Sequence, residues 1–131
     1  MPSRGFAMSA AKAIQEQLEK ETEKYREFQK DLSKNQAARL RFNQQLSESD
    51  MVKKELDLLD EEAVVYKLVG PALIRQDLLE AKANVEKRMQ FIKKEADRLE
   101  HGLKGLETKQ AQSQQEIAGL QQKLQKIAQK A

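Results

Sequence analysis

Beyond Asp77 the chain can be stepped alternately by four and three residues through Leu78, Lys82, Val85, Met89, Ile92, Ala96, Leu99, Leu103, Leu106, Gln110, Ser113, Ile117, Leu120, Leu124 and Ile127. Most of these positions are apolar, and the residues between them are mainly Lys, Glu, Gln, Arg and Ala. A stripe with that period predicts a coiled-coil helix over 77–129. Its start is marked by Asp77 with Glu80 three residues on, a carboxylate cap and an acidic partner for the free amides of the first turn. Gly102 and Gly105 lie off the stripe. Each costs about 1 kcal/mol relative to Ala, which softens the helix there without requiring a break.

A second stripe precedes it: Ile14, Leu18, Tyr25, Phe28, Leu32, Phe42 and Leu46, with Glu21, Asn35 and Arg39 in the same register. It predicts a helix over 9–60. Near "LSESDM" the steps run Leu46, Ser49, Val52, Leu56 and Leu59, and two successive threes are a stammer that overwinds a supercoil locally. A polar seam residue such as Asn35 is expected to fix register rather than to hold a ligand. Residues 1–8 stand outside the pattern and are expected to form a flexible extension. The two helices, joined by a short connection, should fold back antiparallel within a single domain spanning 1–131.

That connection, 61–76, carries a different pattern. In "VVYKLVGPALIRQD" the β-branched and aromatic residues favour strand, Gly70-Pro71 marks a turn, and a shorter strand follows. The prediction is a β-hairpin. Val64, Tyr66 and Leu68 point to one face of the first strand and Val65 and Val69 to the other, while Leu73 and Ile74 supply apolar side chains from the second. Two helices cannot cover both faces. An isolated hairpin is marginal in water and its edges invite further strands, so Val64, Val65, Tyr66, Leu68, Val69, Gly70, Pro71, Leu73 and Ile74 are expected to assemble several chains through a shared sheet or barrel. Phe91, on an outward helical position near the hairpin, is a candidate contact with a neighbouring subunit.

Composition narrows the functional classes. The chain is 34% charged with a mean hydropathy of -0.80, which excludes an ordinary globular core and leaves the long helices to account for its order. The formal charge of +3 is a small remainder of 24 cations and 21 carboxylates, so it draws no nucleic-acid footprint. With no cysteine, a single histidine (His101) and no Gly-rich loop before a helix, the sequence offers no catalytic, cofactor-binding or metal-ligating set. An enzyme is not expected, and neither is a cofactor. No apolar run is long enough to span a membrane and no signal peptide is evident, so an unprocessed chain in the cytoplasm is the expectation.

The segments "YREFQKDLSKN" and "LSESDMVKKELDLLDEEAVVYKLVGPALIRQDLLEAKANVEKRMQFIKKE", with the heptad helices around them, resemble a prefoldin subunit of the β class. The resemblance covers about residues 14–127, and its most specific element is "VYKLVGPALIRQ" between two helical arms. Room for one hairpin rather than two places it in the β class. The resemblance implies a mainly α fold, a long antiparallel two-helix coiled coil whose connecting hairpins build an intersubunit β-barrel. It also implies a hexamer with two α-class and three further β-class subunits. Such assemblies capture unfolded proteins, actin and tubulin among them, without ATP and deliver them to the cytosolic chaperonin. On that reading Ile14, Leu18, Leu120, Leu124 and Ile127 are the client-binding tip. The same five residues would also simply complete the coiled coil, and both roles stay open. A structural tether or scaffold is the alternative function, and nucleic-acid binding ranks below it.

Overall fold

The computed structural model describes residues 4–130. Helix α1 (Arg4–Asp57) is followed by strands β1 (Val65–Val69) and β2 (Ala72–Gln76) and by helix α2 (Leu78–Lys130). Both helices run through two compact units, one formed by residues 37–100 and the other by the described residues up to Gln36 together with those from His101 onward.

In the hairpin unit, cross-helix ion pairs fix the direction of packing. Arg39 meets Glu100 at 3.7 Å, Lys53 meets Glu86 at 2.9 Å, and Lys82 meets Asp57 at 3.8 Å. As the α1 number rises, its α2 partner's falls by the same amount, as antiparallel helices require. The core of this unit is a cluster of Leu56, Leu78 and Ala81, with Val65 and Val85 packed against it. Met89 and Ile92 continue the buried stripe, and Ile92 is only 2% exposed. Every α2 seam position named from the sequence is buried or half-buried.

Three expectations about α1 are corrected. The helix begins by Arg4, so residues 4–8 are helical rather than an extension, while residues 1–3 lie outside the described part. The physical reason is legible: Ala7 and Ala11 extend the Ile14 register backward, and four alanines between 7 and 13 favour helix. At the other end α1 stops at Asp57, not 60. Its last turn tightens through bonds from the Leu58 and Leu59 amides to the Glu55 and Leu56 carbonyls, both 3.2 Å. Asp60, Glu61 and Glu62 follow, and carboxylates are unfavourable at the negative end of a helix dipole. Finally, no stammer is needed between Ser49 and Leu56. Lys53, a regular step from both Ser49 and Leu56, is half-buried there, whereas Val52 is exposed, so the seam keeps its regular alternation through a lysine stem.

In the unit formed by the two chain ends, Leu120 and Ser113 are buried, and Ser113 is 2% exposed. The Ser113 hydroxyl donates across the helices to the Glu21 carbonyl at 3.3 Å, so this polar seam position is satisfied by the opposite backbone. Asn35 is also buried at its seam position. The α2 helix passes through Gly102 and Gly105 unbroken.

Candidate assembly hairpin and capture tip

The strands pair antiparallel with Val65 opposite Gln76, Tyr66 opposite Arg75, Lys67 opposite Ile74, Leu68 opposite Leu73 and Val69 opposite Ala72. Two residues, Gly70 and Pro71, close the loop. Gly70 has φ +58°, and Pro71 is held to negative φ by its ring, which selects a type II′ turn and excludes type I′. That turn matches the strand twist, so the sequence sets the register through one glycine and one proline.

Pairing sorts the side chains into two faces. One carries Tyr66, Leu68, Leu73 and Arg75; the other carries Val65, Lys67, Val69, Ala72, Ile74 and Gln76. Val65 is anchored on the helix roots through the Leu56–Leu78–Ala81 cluster, and Gln76 opposite it is half-buried. Leu68 is 69% and Leu73 67% exposed, and Val64, Tyr66, Val69 and Ile74 are also exposed. Phe91 is likewise exposed on the outer side of α2. The hairpin thus presents apolar side chains on both faces together with two strand edges that no strand among the described residues pairs.

Near the root of the hairpin, Lys53 and Glu86 shift each other in opposite directions. The hydrogen bond and charge of Lys53 hold the Glu86 carboxyl below its usual range, and Glu86 holds the Lys53 ammonium above its own. Among the described residues no group of three or more His, Cys, Asp or Glu could hold a metal ion. Among the described residues no helix is long and apolar enough to cross a membrane.

At the chain ends the five residues expected to bind clients sit in the seam. Leu120 is buried, and Ile14, Leu18, Leu124 and Ile127 are half-buried. Leu124 and Ile127 share an open groove of about 630 Å³ with Arg4, Ala7, Met8, Ala11, Gln15 and Ala128. The large apolar side chains most open to solvent here are Met8, 73% exposed, and Phe6. Neither was found from the sequence, because no fold was assigned before residue 9. The signal was present in Ala11 and Ala7, which repeat the seam spacing upstream of Ile14.

Two long helices joined by one small antiparallel hairpin make up the described fold, and known proteins share it. A family model described as Prefoldin subunit matches residues 19–130. The chain belongs to the prefoldin family. It is 45% identical over 122 residues to prefoldin subunit 6 of Arabidopsis thaliana, covering 93% of this chain and 95% of that one. Against prefoldin subunit 6 of Homo sapiens it is 46% identical over 116 residues, 88% and 90% of the two chains. The prefoldin fold is matched by the crystal structure of the prefoldin beta subunit from Thermococcus strain KS-1, with a TM-score of 0.70 at 21% identity over 79% of this chain and 90% of that one. Among the described residues of this prefoldin chain a single hairpin lies between two helices, as the β-class resemblance implied.

Proposed function

We propose that this prefoldin chain is a subunit of a heterohexameric co-chaperone that assembles through its hairpin with two α-class and three further β-class subunits. In that complex the hairpins close a shared β-barrel, which covers both apolar faces and pairs the free strand edges. The observation that carries the reading is the hairpin itself: Leu68, Leu73, Tyr66, Val69 and Ile74 stand in water in the single chain, which leaves burial to a partner. Phe91 contacts a neighbouring subunit beside the barrel. The assembly works in the cytoplasm without catalysis or cofactor, holding unfolded proteins such as actin and tubulin for the chaperonin.

Capture falls to the groove at the chain ends. Leu124 and Ile127 form part of its wall, with Ile14, Leu18 and Leu120 behind them in the seam, and Met8 supplies a flexible, polarizable side chain suited to irregular apolar surfaces. The test is suppression of aggregation of a diluted unfolded protein by assembled complexes in which Met8, Leu124 and Ile127 are all replaced by Ser. Several arms share one client, so the other subunits' arms should be shortened to expose the loss. Weaker holding by intact complexes is expected. Unchanged holding with assembly confirmed would remove the capture role from this groove.

A further inference from the structure

Charge is unevenly placed along the chain. Residues 4–15 and 117–130 contain Arg4, Lys12, Lys123, Lys126 and Lys130 and not one carboxylate. Residues 16–116 hold the other 19 cations against all 21 carboxylates, so the terminal segments account for more than the whole formal charge of +3. Both segments belong to the same compact unit. None of the five cations enters an ion pair among the described residues, although seven pairs form elsewhere along the chain. Lys123, Lys126 and Lys130 recur at i, i+3 and i+7 and so share one face of α2. Arg4 stands in the groove itself, beside Met8, Leu124 and Ile127.

A mainly aliphatic groove whose one charged lining residue is the cation Arg4, set in terminal segments rich in unpaired cations, distinguishes between apolar ligands. Its field extends about 8 Å at physiological ionic strength, which is comparable to the radius of a helix with its side chains. A segment carrying lysines among its apolar residues is repelled as it enters; one carrying carboxylates is attracted, and no carboxylate lines the groove to compete with it. We propose that the groove selects unfolded polypeptide segments in which apolar residues alternate with carboxylates. This rests on the capture reading above and adds to it the class of segment captured. No aromatic residue lines the groove, so it offers bases nothing to stack on.

The experiment uses the assembled complex with a photo-crosslinking side chain in place of Gln15, which lines the groove. Two unfolded fluorescent peptides share the same leucines and phenylalanines and differ only in having Glu or Lys between them. Several exposed charge pairs, each worth less than tenfold alone, should together give the Glu peptide a roughly tenfold lower half-saturation concentration for crosslinking. The preference should shrink toward unity in about 0.5 M salt, and in the combined Arg4→Gln, Lys12→Gln, Lys123→Gln, Lys126→Gln and Lys130→Gln variant while crosslinking persists. Equal crosslinking of both peptides overturns the selectivity and leaves capture standing, as does a preference that survives the Gln variant. Crosslinking of neither peptide, with holding activity intact, overturns the capture reading and the selectivity together. A single-stranded oligonucleotide that displaces the Glu peptide at lower concentration than unlabelled Glu peptide does would assign the cations to nucleic acid instead.

Discussion

Replacing Leu68 and Leu73 together by Ala separates assembly from folding. The two leucines face each other across the hairpin and are each about two-thirds exposed in the single chain. Full burial of a leucine is worth about 1.5–3 kcal/mol, so the area still in water corresponds to about 1–2 kcal/mol per residue if assembly buries it. The pair then contributes about 2–4 kcal/mol to association, a loss of roughly 30-fold to 1000-fold in affinity on truncation. The chain's own fold should hardly change, because neither side chain belongs to the Leu56–Leu78–Ala81 cluster. Native mass spectrometry of complexes diluted through the dissociation range reads the first effect, and thermal melting of the isolated chain by circular dichroism reads the second. Val65→Ala is the contrasting control: it touches that cluster, so both readouts should fall. The reasoning is refuted if the double variant dissociates at the wild-type concentration. It is equally refuted if the isolated chain loses as much stability as the complex, since the leucines would then pack on their own helices.

Gly70→Ala should weaken assembly about 5- to 30-fold, because an L-residue at φ +58° costs about 1–2 kcal/mol although nothing lies within 4 Å of the added methyl; Gly70→Asn should recover part of the loss in the same dilution assay. Gly102→Ala and Gly105→Ala, both into open space, should each stabilise the arm by about 1 kcal/mol and raise its melting temperature, and unchanged melting would show that these positions do not limit arm stability. The Lys53–Glu86 pair gives a pH signature. Glu86, whose carboxyl is held low, contributes stability above its unfolded pKa and loses it as pH falls through the folded value; Lys53, held high, contributes below its unfolded pKa and loses it as pH rises through the folded value. The melting difference between wild type and Glu86→Gln should therefore be largest near neutrality, small because both side chains are half exposed, and vanish in acid and in strong base. A difference constant across pH would contradict the pairing.

The readable parts of the sequence were those with a strict period. Every α2 seam position from Leu78 to Ile127 is buried or half-buried, because a heptad stripe has one consistent burial solution. The hairpin was legible for another reason: Gly70-Pro71 admits few turns, and β-branched residues flank it. What stayed hidden depended on weak signals. Alanines carry little hydrophobic contrast, so the helical turn from Arg4 to Met8 did not stand out, and with it went the groove and Met8. Lys53 was passed over for Val52 because residue type ranks valine as the more apolar, whereas burial here follows the angle around the helix and a lysine can bury its stem. Side-chain exposure at the tip was likewise undecidable from periodicity, which gives the seam but not what lies open beside it.

The account rests on the hairpin being an assembly device, and the mass of the complex carrying this chain tests that most directly. Purified through this chain at native concentration and weighed by native mass spectrometry, the complex should be a hexamer of roughly six times the chain's 15.0 kDa, containing this chain together with other prefoldin subunits. A dimer joined through the helices, with Leu68 and Leu73 still open to solvent, would contradict it and favour a coiled-coil tether.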